Sequence, residues 1–145
     1  MSRALSALAL LFCLVAMPVS ADESEDRYIA EIRLNTAAEF YSVLMRAEQM
    51  LAAGALPSTS PVPVTFILHG PEVRILLRQN YLANKSTVDL AAALSALGVV
   101  DIKACETWMG GEGIRAEELQ PFVSTVAYGP AEIKRMVEEA NYLYF

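Results

Sequence analysis

Residues 64–71 read VTFILHGP, a near-continuous apolar run that stops at a histidine, a glycine and a proline. Five such residues are too few for a core helix. They suit a strand covered on both faces, as the strands of a parallel sheet are. The preceding ALPSTSPVP (55–63) carries three prolines and reads as a loop. Downstream, VVDIKAC (99–105) repeats the pattern and predicts a second buried strand, this one ending at Cys105. YIAEIRL (28–34), VSTVAY (123–128) and YLYF (142–145) supply three more strands.

Helical spacing fills the intervals. Asn35 or Thr36 is placed to cap a helix reaching about Ala53, with Phe40, Val43, Leu44, Ala47 and Leu51 on one stripe and Gly54 as the stop. HGP leads into a helical region containing VRILL. Ser86 or Thr87 is expected to cap a further helix, VDLAAALSAL, ended by Gly98. A glycine-rich segment and a short EEL turn follow Cys105. Pro130 sits in the first turn of a last helix that turns Ile133, Met136, Val137 and Ala140 inward. Strands alternating with helices through one short chain define an α/β sandwich with a mainly parallel, five-stranded sheet.

In such sheets chemistry collects at the carboxyl ends of the strands. His69, the chain's only histidine, ends one apolar strand, and Cys105 ends another, so both are expected on one rim. Two readings of Cys105 stay open: a reactive thiol, or a small hydrophobe packed in the core. Reactivity needs the thiolate. Glu106 beside it opposes that form, whereas Lys103, two residues back on the same strand face, favours it.

The N-terminus bears on the cysteine count. MSRALSALALLFCLVAMPVSADESED has a basic start at Arg3, an apolar stretch from Ala4 to Met17, a break at Pro18, and the small-x-small site Val19-Ser20-Ala21. Residues 1–21 read as a cleavable signal peptide, leaving 22–145 as a single exported domain with a periplasmic address. The apolar stretch is shorter than the roughly 20 residues a stable membrane anchor needs. Phe12, where a small residue is wanted, argues against lipid attachment at Cys13. Loss of Cys13 would leave Cys105 without an intramolecular partner, the odd thiol of an oxidising compartment.

Composition excludes several classes. Seventeen Asp and Glu against eleven Lys and Arg give a net charge of −6, with no basic block, which disfavours nucleic acid and anionic membranes as partners. Gly111-Glu112-Gly113-Ile114-Arg115-Ala116 matches a dinucleotide fingerprint literally. It lies late in the chain, and Pro121 leaves little room for the long helix that the fingerprint opens, so it reads as a turn. Asn84-Lys85-Ser86 has the form of a glycosylation sequon. One histidine and one cysteine cannot build a zinc site within a chain, although a trimer axis could gather three copies. No metal or cofactor is implied.

The strand ending in His69-Gly70, the strand ending in Cys105, Gly113-Ile114, Leu119 to Pro121, Val126 with Gly129, and the aromatic strand at Tyr142 and Tyr144 occur in a telling order. In that order and spacing the chain resembles the DsrE/DsrF-like family of sulfur metabolism, and its exported members in particular. The resemblance covers almost all of residues 22–145. It implies a three-layer α/β/α fold and assembly into homotrimers or homohexamers. It also implies a sulfur carrier or transferase in which Cys105 holds sulfane sulfur as a persulfide, exchanging it with a donor or acceptor protein or a small sulfur compound. His69 would then be auxiliary, with Gly70, Lys103, Trp108, Gly110 and Gly111 expected around the incoming group. A non-catalytic oligomeric binding module with a structural Cys105 is the alternative.

Overall fold

The sheet is built from Tyr28–Ile32 (β1), Val64–Leu68 (β2), Val100–Cys105 (β3), Val123–Val126 (β4) and Leu143–Tyr144 (β5). Its order is β4-β3-β2-β1-β5 and every pairing is parallel. The computed structural model describes residues 26–32, 36–56 and 62–145. The signal peptide read at 1–21, Cys13, the cap candidate Asn35 and loop residues 57–61 lie outside them.

Helices occupy Ala37–Ala52 (α1), Lys85–Ala96 (α2), Glu106–Gly111 (α3) and Gly129–Glu138 (α4). Thr36 opens α1 with a reciprocal cap: its hydroxyl accepts from Glu39 N at 3.2 Å, and the Glu39 carboxylate accepts from Thr36 N at 3.1 Å. Gly54 and Gly98, both at φ +69, follow the ends of α1 and α2 in the left-handed region where other residues are strained. Neither Ser86 nor Thr87 caps α2. The helix starts at Lys85, with Asn84 at the cap position two residues before Ser86, and Thr87 is buried. The VRILL region forms 3-10 turns, Pro71–Leu76, Arg78–Asn80 and Leu82–Asn84, which bury Val73, Ile75 and Leu76.

Strand register sorts the side chains into two faces. Ala30, Phe66 and Ile102 sit side by side across β1, β2 and β3. With Val64, Leu68, Val100 and Ala104 they form the floor of a large core roofed by Phe40, Leu44 and Ala47 of α1 and by Val88, Ala91 and Leu94 of α2. Phe66 is its centre, edge-on to Phe40 at 6.4 Å and to Phe145 at 5.7 Å. On the opposite face α4 lies over β1 and β2, where Ile29 and Ile67 meet Ile133 and Met136. Helices on both faces of one parallel sheet make this a three-layer α/β/α fold.

One strand departs from its sequence pattern. VVDIKAC was expected to be buried throughout, yet β3 alternates: Val100, Ile102 and Ala104 are buried beneath α1 and α2, while Asp101 and Lys103 on the α4 face are only half-buried. On that face of β3 only the carboxyl end is covered, where Cys105 is buried beneath the start of α4.

Candidate functional site

The site lies where β2 and β3 end. Leu68 pairs with Ala104, so the next step along the two parallel strands places His69 beside Cys105, both turned toward the α4 face. Both are buried, His69 with 8% of its surface exposed and Cys105 with 2%. The start of α4 closes over them. A β-carbon built on Gly129 would stand 3.0 Å from Ile67 Cγ2, 3.3 Å from His69 Cβ and 3.4 Å from Cys105 Cβ. Glycine is therefore what lets the helix come this near, and its backbone N–H donates to Cys105 Sγ at 3.3 Å. A donor at the first turn of a helix, where amides lack intrahelical partners, is well matched to an electron-rich sulfur.

A cavity of about 200 Å³ opens onto this pair, lined by His69, Cys105, Thr107, Trp108, Tyr128 and Pro130. Its far wall is α3, which starts at the residue after Cys105. Thr107 anchors that wall: its N–H and its hydroxyl both donate to Ala127 O, at 3.2 and 2.7 Å. The Glu106 carboxylate accepts from the Thr125 hydroxyl at 2.6 Å, which directs the acid beside the cysteine toward β4. Ligand sites for drug-sized molecules usually measure about 300–1,000 Å³. This one suits a few heavy atoms.

On the other side of His69, Nε2 lies 3.0 Å from Glu31 Oε1 of β1. Glu31 of β1, His69 just after β2 and Cys105 at the end of β3 thus follow one another along one rim.

The structure brings together Cys105, His69 and Trp108 of the residues singled out in the sequence, and not the rest. Lys103 does not line the cavity. Its ammonium pairs with Asp101 at 3.0 Å and contributes to the field at Glu132, whose carboxyl is held below the ordinary range chiefly by hydrogen bonds from Arg135. Gly70 instead shapes the turn after β2: its N–H donates to Glu72 Oε1 at 2.9 Å, and Glu72 is 1% exposed. Gly110 and Gly111 belong to α3 rather than to an open glycine loop, and neither lines the cavity. The left-handed position falls on Gly113, at φ +68. Gly111–Ala116 therefore runs from a helix end into a turn, with no strand before it and no long helix after it.

Sequence reasoning missed Glu31, Thr107 and Tyr128, and took Gly129 and Pro130 only as family landmark and helix start. Glu31 reaches the site through strand register alone, and nothing local marks it. Among the described residues, no group of three or more His, Cys, Asp or Glu is arranged to hold a metal ion, and no helix is long and apolar enough to cross a membrane.

Comparison with known proteins adds the fold and no activity. No family model matches the chain, and neither does any curated protein. A solved structure does: the protein of unknown function MTH1491 from Methanobacterium thermoautotrophicum, 18% identical, with a TM-score of 0.65 over 83% of this chain and 97% of its own. At that identity the two share an architecture.

Proposed function

We propose that the protein is a sulfur carrier of the DsrE/DsrF-like type, holding sulfane sulfur as a persulfide on Cys105. One observation carries the proposal: Cys105 Sγ sits at a cavity of about 200 Å³, under the Gly129 N–H and beside His69. A buried structural cysteine needs neither the cavity nor the Gly129 donor. In the transfer step the Cys105 thiolate attacks the outer sulfur of a donor R–S–SH. The new Sγ–S bond forms as the donor S–S bond breaks, and the electron pair leaves with R–S⁻, which takes up a proton. No external oxidant is needed.

Export, a periplasmic location and homotrimeric or homohexameric assembly belong to the same proposal. They are supported by Val19-Ser20-Ala21 and by the family resemblance. Intact mass of the exported protein, with Asp22 expected first, checks export, and light scattering checks assembly.

Incubation with a low-molecular-weight persulfide tests the chemistry. Native protein should gain the mass of one sulfur, lose it on treatment with excess thiol, and gain nothing as Cys105→Ser. A second reading is favoured by the 2% exposure of Cys105: a small-ligand binding module with the cysteine as packing. If native Cys105 resists both alkylation and sulfur loading while Cys105→Ser merely loses stability, that reading replaces the first.

A further inference from the structure

Glu31 lies outside the cavity walls, yet it makes the 3.0 Å contact with the ring of His69, whose backbone neighbours Cys105 in the strand register and which lines the same cavity. A neutral imidazole has one N–H donor and one acceptor nitrogen, and the partner of one nitrogen decides the role of the other. An ionised carboxylate can only accept, so in the neutral ring Nε2, opposite Glu31 Oε1, carries the proton and Nδ1 does not. The ring has little freedom to turn: the His69 side chain is 5% exposed, and Gly129 lies against its β-carbon.

We infer that Glu31 is a positioning residue of the site: it holds His69 as the Nε2–H tautomer, so that the ring can take the Cys105 proton when sulfur is loaded. The inference rests on the carrier proposal above. The proton moves from Sγ to Nδ1, the imidazolium forms against the Glu31 carboxylate, and the proton then passes to the departing R–S⁻, giving R–SH and leaving Cys105 as the persulfide. An oriented nucleophile–base–carboxylate series is a recurrent way to activate a weak nucleophile. Other titratable or charged groups share these surroundings. Tyr128 borders the cavity at the start of α4. Lys134 and Glu138 of α4 line a second hollow with Glu31, and Arg46 of α1 lines a third. On β3 the neighbour is Cys105, and after β2 the buried Glu72 accepts from Gly70 N.

Because His69 is the only histidine, its imidazole ¹⁵N signals need no assignment. In the native protein they should report the Nε2–H tautomer. In Glu31→Ala they should move to a tautomer mixture. Sulfur loading at neutral pH should slow roughly tenfold, less than the roughly 10²–10⁴ expected for loss of a general base itself, and its pH profile should shift. Glu31→Gln, whose amide oxygen still accepts from Nε2–H, should restore the tautomer and part of the rate. If the native protein loads sulfur but Glu31→Ala loads it at the same rate with the same pH profile, or if native His69 is the Nδ1–H tautomer, the inference is wrong and the carrier proposal stands. If the native protein takes up no sulfur, both fall.

Discussion

The two faces of the sheet are built differently. Beneath α1 and α2 the strands present Val64, Phe66, Leu68, Val100, Ile102 and Ala104, all buried, to a second layer of aliphatic and aromatic side chains. Beneath α4 the apolar cluster is smaller: Ile29 and Ile67 meet Ile133 and Met136, with Val126, Val137 and Tyr142 partly buried around them. Polar residues then take over: Thr65, Asp101, Lys103 and, at the rim, Glu31 and His69. Since apolar burial is the main favourable contribution to folding, the first face holds most of the stability. The second is free to place polar groups near a helix start. The cavity at Cys105 lies on the face the fold depends on least.

The contrast can be broken most directly with two isoleucines. Ile102 and Ile67 are both fully buried on central strands, but on opposite faces. Ile102→Ala should cost about 4 kcal/mol and Ile67→Ala about 2.5 kcal/mol. Both lie within the range for such truncations, and the cost falls where the surroundings can settle into the space, as a layer of one short helix can. Equal losses in denaturant titration would show that the faces contribute alike.

Gly129→Ala should be next, at about 2 kcal/mol, because the added methyl meets three side chains at 3.0 to 3.4 Å and the start of α4 must back away. Unlike Ile102→Ala, it should also alter the alkylation rate of Cys105 by lengthening the Gly129 N–H contact to sulfur. Thr36→Ala, on the other side, should cost about 1 kcal/mol through the lost cap of α1 and leave that rate untouched.

Glu132→Gln is the smallest, about 0.3 kcal/mol at neutral pH, as expected for a helix-surface pair. Its sign is fixed by pH. Arg135 holds the Glu132 carboxyl below its ordinary value, so the unfolded chain binds the proton more readily. The stabilisation is complete above the ordinary carboxylate range and disappears as pH falls through the lowered folded-state value. Thermal melts of native and variant protein should therefore differ near neutrality and converge in acid.

Much of this architecture could be read from sequence, because it rests on local signals. Apolar five-residue runs gave the strands, 3.6-residue stripes gave α1, α2 and α4, and strand-end logic put His69 and Cys105 on one rim. What escaped was non-local. Glu31 meets His69 only because β1 and β2 pair in one register, and Gly129 matters because α4 begins against the ends of β2 and β3. The segment after Cys105 misled for another reason. Gly110 and Gly111 weaken a helix by propensity, but Thr107 is tied twice to Ala127 and Met109 is buried, and tertiary contact overrides the local preference. Lys103 was placed on the correct strand face, and its ammonium pairs there with Asp101, two residues back.

Trp108 stands on the cavity wall and is the chain's single tryptophan. Its indole emission therefore arises from one place, next to the sulfur, while the six tyrosines are distributed over the molecule. Occupancy of the cavity, a change of charge on Cys105, or withdrawal of α3 would each alter the colour or yield of that emission. The protein thus carries an unlabelled optical reporter at the point where its chemistry is proposed to occur, readable in real time during a stopped-flow mixing experiment.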